Sequence, residues 1–166
     1  SLTPDHTDRL FSLIEENRSY LQNWLSWISR IKDRDNCYRF LINVNYRSIY
    51  DGRWVYGIWY EEKLVGLLDF NEPNADQHQI SLGYWLGKEY QGNGIVTGCV
   101  SACVDYLFSI HDVSRILIKC ATDNERSQAV AQRLNFEWEG LEYQAGEVSG
   151  RMVDINVFVK HKRQWH

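Results

Sequence analysis

Hydrophobic positions along the first fifty residues recur with the spacing of helices. Thr3-Pro4 has the form of a helix start, with Thr as N-cap and Pro at the first helical position. Leu10, Phe11, Leu13 and Ile14 supply the apolar stripe. Tyr20 to Ile31 continues it through Leu21, Trp24, Leu25 and Ile28, and Asp35 to Tyr50 predicts a further helix. From Trp54 the pattern changes. Arg53–Tyr60 and Leu64–Phe70 are rich in aromatic and β-branched residues and flank Glu61-Glu62-Lys63, which predicts a hairpin. Gln79–Leu86 predicts a third strand. Residues 96, 99, 100, 103, 104, 107 and 108 are apolar, which is one face of a helix over Ile95–Phe108. Arg115–Ala121 predicts a short buried strand, Glu125–Leu134 a short helix, and Phe136–Tyr143 and Met152–Lys160 two closing strands. This order predicts a mixed α+β domain built on one sheet.

Composition narrows the possibilities. With 166 residues, 44% hydrophobic and 24% charged, residues 1–166 read as one globular domain able to bury its own core. The formal net charge of −4 disfavours nucleic acid as the primary partner. The longest uncharged stretch, Gln91 to Val104, is interrupted by Gln, Gly, Asn and Thr and is too short and polar to span a bilayer. The start Ser-Leu-Thr-Pro-Asp turns polar at once, unlike a signal peptide. Cys37, Cys99, Cys103 and Cys120 form no Cys-x-x-Cys pair, so a cytoplasmic location is expected. Cys99 and Cys103 fall on the apolar face of their helix and read as core, with no His/Asp cluster for a metal; Cys120 reads likewise. The basic end Lys160–Arg163 reads as a solvated tail.

The chemistry-bearing stretch is Tyr84-Trp85-Leu86-Gly87-Lys88-Glu89-Tyr90-Gln91-Gly92-Asn93-Gly94-Ile95-Val96-Thr97. A strand runs into a Gly-x-Gly turn that opens an amphipathic helix. Glycines there permit positive φ and close ligand approach, and the free N–H groups of the helix start suit a pyrophosphate. A plain glycine turn gives the same pattern. A dinucleotide fold wants a third glycine where Thr97 stands and an acid about 20 residues on. The acid at the next strand's end, Asp123, lies roughly ten residues too far. A Walker loop would need Gly-Lys-Ser/Thr, which is absent.

Gln91-Gly92-Asn93-Gly94-Ile95-Val96 resembles the acyl-CoA loop of the GNAT acetyltransferases, Gln/Arg-x-x-Gly-x-Gly/Ala, with Val at the last position. Gly83-Tyr84-Trp85-Leu86, Cys120-Ala121-Thr122-Asp123-Asn124-Glu125-Arg126-Ser127-Gln128-Ala129-Val130-Ala131, Leu134-Asn135-Phe136 and Glu139-Gly140 resemble the ribosomal-protein N-terminal acetyltransferases of the RimJ/RimL type. Asn17-Arg18-Ser19-Tyr20-Leu21 and Trp24-Leu25-Ser26-Trp27 are similar to that branch's opening helices. The resemblance implies a mixed, mostly antiparallel sheet split by a V-shaped cofactor cleft, with helices on both faces. The family's first strand would precede Leu2. It also implies acetyl-CoA as cosubstrate and no metal. Trp85 and Leu86 would offer backbone groups to the pantetheine arm. The backbone of Gln91, Gly92, Asn93, Gly94, Ile95, Val96 and Thr97 would hold the pyrophosphate. Asn124 would contact the cofactor, and as an N-cap it would also serve the helix start.

Direct acetyl transfer needs a neutral amine, a stabilised oxyanion and a proton for the leaving thiolate. An α-amine of pKa ~7.8 is about one-tenth neutral at pH 7, against about one in 2,500 for a lysine near ~10.4, a difference of roughly 3.5 kcal/mol. A modest base therefore suffices for N-termini. The resemblance gives Ser127 the role of proton donor to the thiolate; a serine in a first helical turn is otherwise structural. For the base, the glutamate that many GNAT enzymes carry before the strand's Gly-Tyr is replaced here by Ser81. In Gln144-Ala145-Gly146-Glu147 the carboxylate is displaced by one residue from the branch's Gln-Ala-Glu, and a bulge at Gly146 would restore its face. Glu147, Glu142, His78 and a route through water alone remain open. Trp24 and Trp27 are candidate walls of the acceptor cleft. Glu137, Glu139, Glu142 and Glu147 would favour a cationic acceptor unless they form a solvated face. The expected acceptor is the N-terminus of a (ribosomal) protein, with a small amine or antibiotic, or a non-catalytic acyl-CoA sensor, as alternatives. A homodimer is expected.

Overall fold

The computed structural model describes residues 1–74, 76, 78–110 and 112–162. Arg163 of the basic end lies outside them. The elements are α1 (Thr7–Leu21), α2 (Arg34–Tyr50), β1 (Trp54–Tyr60), β2 (Lys63–Asn74), β3 (Gln79–Leu86), α3 (Ile95–Ile110), β4 (Arg115–Ala121), α4 (Glu125–Arg133), β5 (Glu137–Val148) and β6 (Arg151–His161). Short 3₁₀ turns occupy Pro4–His6, Ser26–Arg30 and Lys88–Tyr90.

The helix expected at Thr3-Pro4 begins as one of these 3₁₀ turns, with the Thr3 N–H donating to His6 Nδ1 at 3.0 Å, and α1 starts at Thr7. The stripe expected to continue through Ile31 breaks at Leu21, because Leu25 is extended. Arg18 explains the break. Its guanidinium donates to the carbonyls of Ile28 at 3.1 Å and Ile31 at 2.6 Å, folding the 3₁₀ turn back onto α1. Leu25 and Trp27 of this segment pack against the core beneath α1 and α2.

Among the described residues the sheet has six strands, in the order β1-β2-β3-β4-β6-β5. Every pair is antiparallel except β3 and β4, which α3 joins by a crossover. Alternation along the strands builds two cores. Ile80, Leu82, Ile116, Ile118 and Phe158 point to the α3/α4 face, where Val100, Val104, Leu107 and Ala131 meet them. Leu67 and Trp85 point to the other face, against Leu10, Ile14 and Leu21 of α1 and Leu41 of α2. At the outer edge of β1, the Leu2 N–H donates to the Val55 carbonyl at 3.4 Å, where the family's first strand was expected.

β5 runs five residues past its expected end at Tyr143 by means of a bulge. Its register with β6 jumps between Glu142↔Ile155 and Gly146↔Val153. The expected bulge exists, but Gln144 carries it rather than Gly146: Gln144 takes a φ of 44°, and its N–H donates to Asp154 Oδ1 at 2.8 Å.

The buried Asn17 ties α1 to the exit of β3. Its Nδ2 donates to the Leu13 carbonyl at 2.9 Å, and its Oδ1 accepts the Lys88 N–H at 2.8 Å. Removing the amide strands a backbone donor. Asn17→Ala is expected to lower unfolding stability by about 1–3 kcal/mol in urea denaturation, with the slope of the transition unchanged.

Candidate functional site

Pairing between β3 and β4 runs from Gln79↔Arg115 to Leu82↔Ile118 and stops there. β3 continues to Leu86 bonded only to β2, and β4 continues to Ala121 bonded to β6. Between the parted ends opens a cavity of about 2040 Å³ that reaches both faces of the sheet. Single small-ligand pockets measure about 300–1,000 Å³, so this volume suits a long ligand together with a second one.

One end of the cavity is the loop into α3. Gly92 and Gly94 have φ of +81° and +74°, which favour glycine, and open space lies where a Cβ would be. The Gly98 N–H donates to the Gly94 carbonyl at 2.9 Å and opens the helical ladder. The N–H groups of Ile95, Val96 and Thr97 therefore have no earlier carbonyl within the helix to bond. Gln91, Gly92, Gly94, Ile95, Val96 and Thr97 line the cavity. Asn93 does not share that lining; its side chain braces the loop against the carbonyls of Tyr90 and Gln91 at 3.3 and 3.4 Å.

Three side chains fix this loop. Gln91 Nε2 donates to the Leu86 carbonyl at 3.0 Å and to the Tyr20 hydroxyl at 3.1 Å. Tyr20 in turn donates to the Leu86 carbonyl, and Arg126 donates to Gln91 Oε1. The Leu86 carbonyl thus already accepts two hydrogen bonds. Burial pushes the Tyr20 phenol up to about 12, so it serves as a donor throughout the working range of pH. The Trp85 side chain packs on the α1 side, with its indole N–H buried and unpartnered among the described residues.

At the start of α4, Asn124 Oδ1 accepts the Ser127 N–H at 3.2 Å as the N-cap, and Asn124 also lines the cavity. The Ser127 Oγ donates to the Tyr84 hydroxyl at 3.3 Å, which donates to the Ser127 carbonyl at 2.9 Å. Cys120 is buried in the core, as expected, and also lines the cavity beside them. Burial pushes its thiol up to about 11, with Ser127 opposing the shift through a hydrogen bond. Burial also raises the Tyr84 phenol. Tyr84, Cys120 and Ser127 are therefore neutral hydroxyls and a thiol gathered on one side of the opening.

The carboxylates separate. Glu147 lines the cavity and is exposed at its mouth. Glu142 pairs with Lys119 at 3.2 Å, and Glu139 makes a two-pronged contact with Arg115 at 2.9 Å. His78 stands at the far end of β3, paired with Asp112 at 2.9 Å and outside the cavity. Of the four clustered glutamates only Glu147 lines the cavity, whereas Arg30, Arg39 and Arg47 line its α2 side. Trp24 and Trp27 both line this wall, and Trp27 stacks on Phe40 with centroids 4.9 Å apart.

Asp69 was not singled out by the sequence. It lies on β2 with its carboxyl over Gly83 of β3 and lines the cavity. The available signal was one acid within the apolar run Leu67-Leu68-Asp69-Phe70.

Comparisons with known proteins agree with this architecture. Residues 1–137 match the family model of the acetyltransferase (GNAT) domain. YdaF of Bacillus subtilis (strain 168) is 30% identical over 166 residues, covering 99% of this chain and 90% of that protein. The ribosomal-protein-serine acetyltransferase of Escherichia coli (strain K12) is 27% identical over 96% of this chain and 89% of that protein. The structure of RimL, a ribosomal L7/L12 α-N-protein acetyltransferase in complex with coenzyme A, superposes with a TM-score of 0.92 at 27% identity, covering 97% of this chain and 91% of that one. With most of its length matched by the family model, the chain belongs to the GNAT acetyltransferase family and is an acetyl-CoA-dependent N-acetyltransferase.

Proposed function

We propose that residues 1–166 form one catalytic unit that acetylates the N-terminal α-amine of a ribosomal protein. The observation that carries this reading is the gap between β3 and β4, which has an anion-ready loop at one end and a hydroxyl pair beside it. The similarity to RimL and to the Escherichia coli enzyme supports the acceptor class.

In this reading the Gln91–Thr97 backbone holds the pyrophosphate of acetyl-CoA, with Asn124 beside it. Trp85 and the strand leading to Leu86 lie along the pantetheine arm. The acceptor enters from the opposite side, past Trp24 and Trp27 to the mouth where Glu147 stands. Glu147 takes the first proton of the α-ammonium. The neutral amine attacks the thioester carbonyl, the tetrahedral intermediate collapses, and Ser127 protonates the leaving thiolate. Tyr84 orients the Ser127 hydroxyl, which donates to it at 3.3 Å. No acyl-enzyme forms. The reading places the enzyme in the cytoplasm as a homodimer, supported by the exposed Tyr38, Ile42, Tyr46, Ile49 and Tyr50 along α2.

A library of N-terminal peptides and a panel of small amines, incubated with acetyl-CoA and read by mass spectrometry, tests the acceptor. The reading expects product on peptide α-amines; product confined to small amines, or none at all, contradicts it. Ser127→Ala is expected to lower kcat about ten- to a thousand-fold, with acetyl-CoA affinity in calorimetry nearly unchanged. Glu147→Gln is expected to lose activity mainly at low pH and to recover as pH approaches the acceptor's own pKa, because a free amine has already lost its first proton. An unchanged pH–rate profile would remove Glu147 from the mechanism.

A further inference from the structure

An α-ammonium must lose two protons on its way to an amide, one before attack and one as the C–N bond forms. Glu147, exposed at the cavity mouth, is placed for the first. The second is released inside, from the acceptor nitrogen as it bonds to the thioester carbon, and one carboxyl that lines the opening there, Asp69, is not among the expected bases.

Asp69 and Gly83 face each other across the β2–β3 ladder. Gly83 is the first β3 residue past the last β3–β4 pair, Leu82↔Ile118. Any side chain at Gly83 would collide with Asp69 Oδ1, so the carboxyl lies directly over the Gly83 backbone. Asn71 donates from Nδ2 to Asp69 Oδ2, which leaves Oδ1 as the oxygen over the opening. Asp69 shares its face of the sheet with Leu67 and Trp85, on the α1/α2 side. Tyr84 packs against the other core, on the α3/α4 side where its hydroxyl meets Ser127. The gap is therefore flanked by a carboxylate on one face and a hydroxyl pair on the other.

We propose that Asp69 is the general base that takes the second proton, the one released as the acceptor nitrogen bonds to the thioester carbon. This rests on the acetyl-transfer reading above. As the C–N bond forms, the nitrogen's proton passes to Asp69 Oδ1. As the C–S bond breaks, the sulfur keeps the electron pair and receives the Ser127 proton. The protons then re-equilibrate through solvent, so that one has gone to the thiol and one to water. The amine and the thiolate are served from opposite faces, so neither proton transfer obstructs the other.

The surroundings of Asp69 suit the role. Its neighbours across the ladder are Val55 and Gly83. The charged groups lining the same cavity on this side are Arg30 of the Ser26–Arg30 turn, Arg39 and Arg47 of α2, Lys119 of β4 and Glu147 of β5, with Lys119 paired to Glu142; toward the cofactor loop and α4 it is lined by Lys88, Asp123, Glu125, Arg126 and Arg133. Desolvation is the largest influence on the carboxyl and pushes it up to about 6, against a weaker opposing backbone hydrogen bond. A base poised near the working pH is the efficient kind. The carboxylate form dominates above about pH 6 and is lost below it.

The test compares wild type, Asp69→Asn, Asp69→Ser and Glu147→Gln on the best peptide acceptor, with pH–rate profiles and acetyl-CoA calorimetry. Both Asp69 variants are expected to bind acetyl-CoA within about two-fold of wild type. Their kcat should fall about a hundred-fold or more. The loss should persist at pH 9, where Glu147→Gln has recovered, because the second proton must leave whatever the starting charge of the amine. The limb of the kcat profile near pH 6 should vanish from the Asp69 variants alone. Full kcat in either Asp69 variant overturns the assignment. So does recovery at pH 9, or loss of acetyl-CoA binding in both, which would make Asp69 a structural residue. Failure of wild type to acetylate any peptide would instead sink the acetyl-transfer reading on which this rests.

Discussion

The structure depends on one interruption of hydrogen bonding. β3 and β4 form the sheet's only parallel pair among the described residues, and they bond over four residues before separating at Leu82 and Ile118. Buried backbone donors and acceptors normally find partners, so two strand edges left facing each other inside a protein mark a place for something else to bond. The sheet tolerates the interruption because each strand keeps its other neighbour, β2 for β3 and β6 for β4. The opening is thus rigid, with fixed walls, which is what positioning a thioester requires.

The rest of the fold equips the two sides of that opening differently. On the α3/α4 side, the α4 N-cap and the β3 strand bring Ser127 and Tyr84 together, with Cys120 beside them. The α1/α2 side carries Asp69, the tryptophans of the Ser26–Arg30 turn region and three arginines. Arg18 has a structural part in this, since its guanidinium gathers the carbonyls of Ile28 and Ile31 beside α1, in the segment whose Trp24 and Trp27 line the cavity. The cofactor loop is held from three directions, by Tyr20 of α1, the Leu86 carbonyl of β3 and Arg126 of α4, all through Gln91.

Much of this was legible in the sequence, and the exceptions have physical causes. β3 and β4 have the bounds that their apolar runs predict, because strands buried on both faces leave little ambiguity. The Gly-x-Gly loop was legible because few residues tolerate its backbone angles. The α1 break was not, because a stripe of apolar residues reads as helix whether or not a distant guanidinium caps the next turn. The β5 bulge was expected at Gly146 but formed at Gln144, where Asp154 from the facing strand supplies the stabilising acceptor. Asp69 and the cavity-facing side of Cys120 stayed hidden for a related reason. Period-two alternation assigns a face but does not reveal that a neighbouring strand pair has opened in front of it.

If acetyl transfer runs as proposed, the thioester sits in the β3–β4 gap with acid and base on opposite faces of the sheet. A crystal structure of the protein with acetyl-CoA tests it most directly. The pyrophosphate is expected on the Gln91–Thr97 backbone and the thioester between Gly83 and Cys120. Ser127 Oγ should lie within hydrogen-bond reach of the sulfur, and Asp69 Oδ1 should lie on the far side of the carbonyl carbon. A pantetheine arm running outside the gap, or a thioester with Asp69 and Ser127 on the same side, would contradict it.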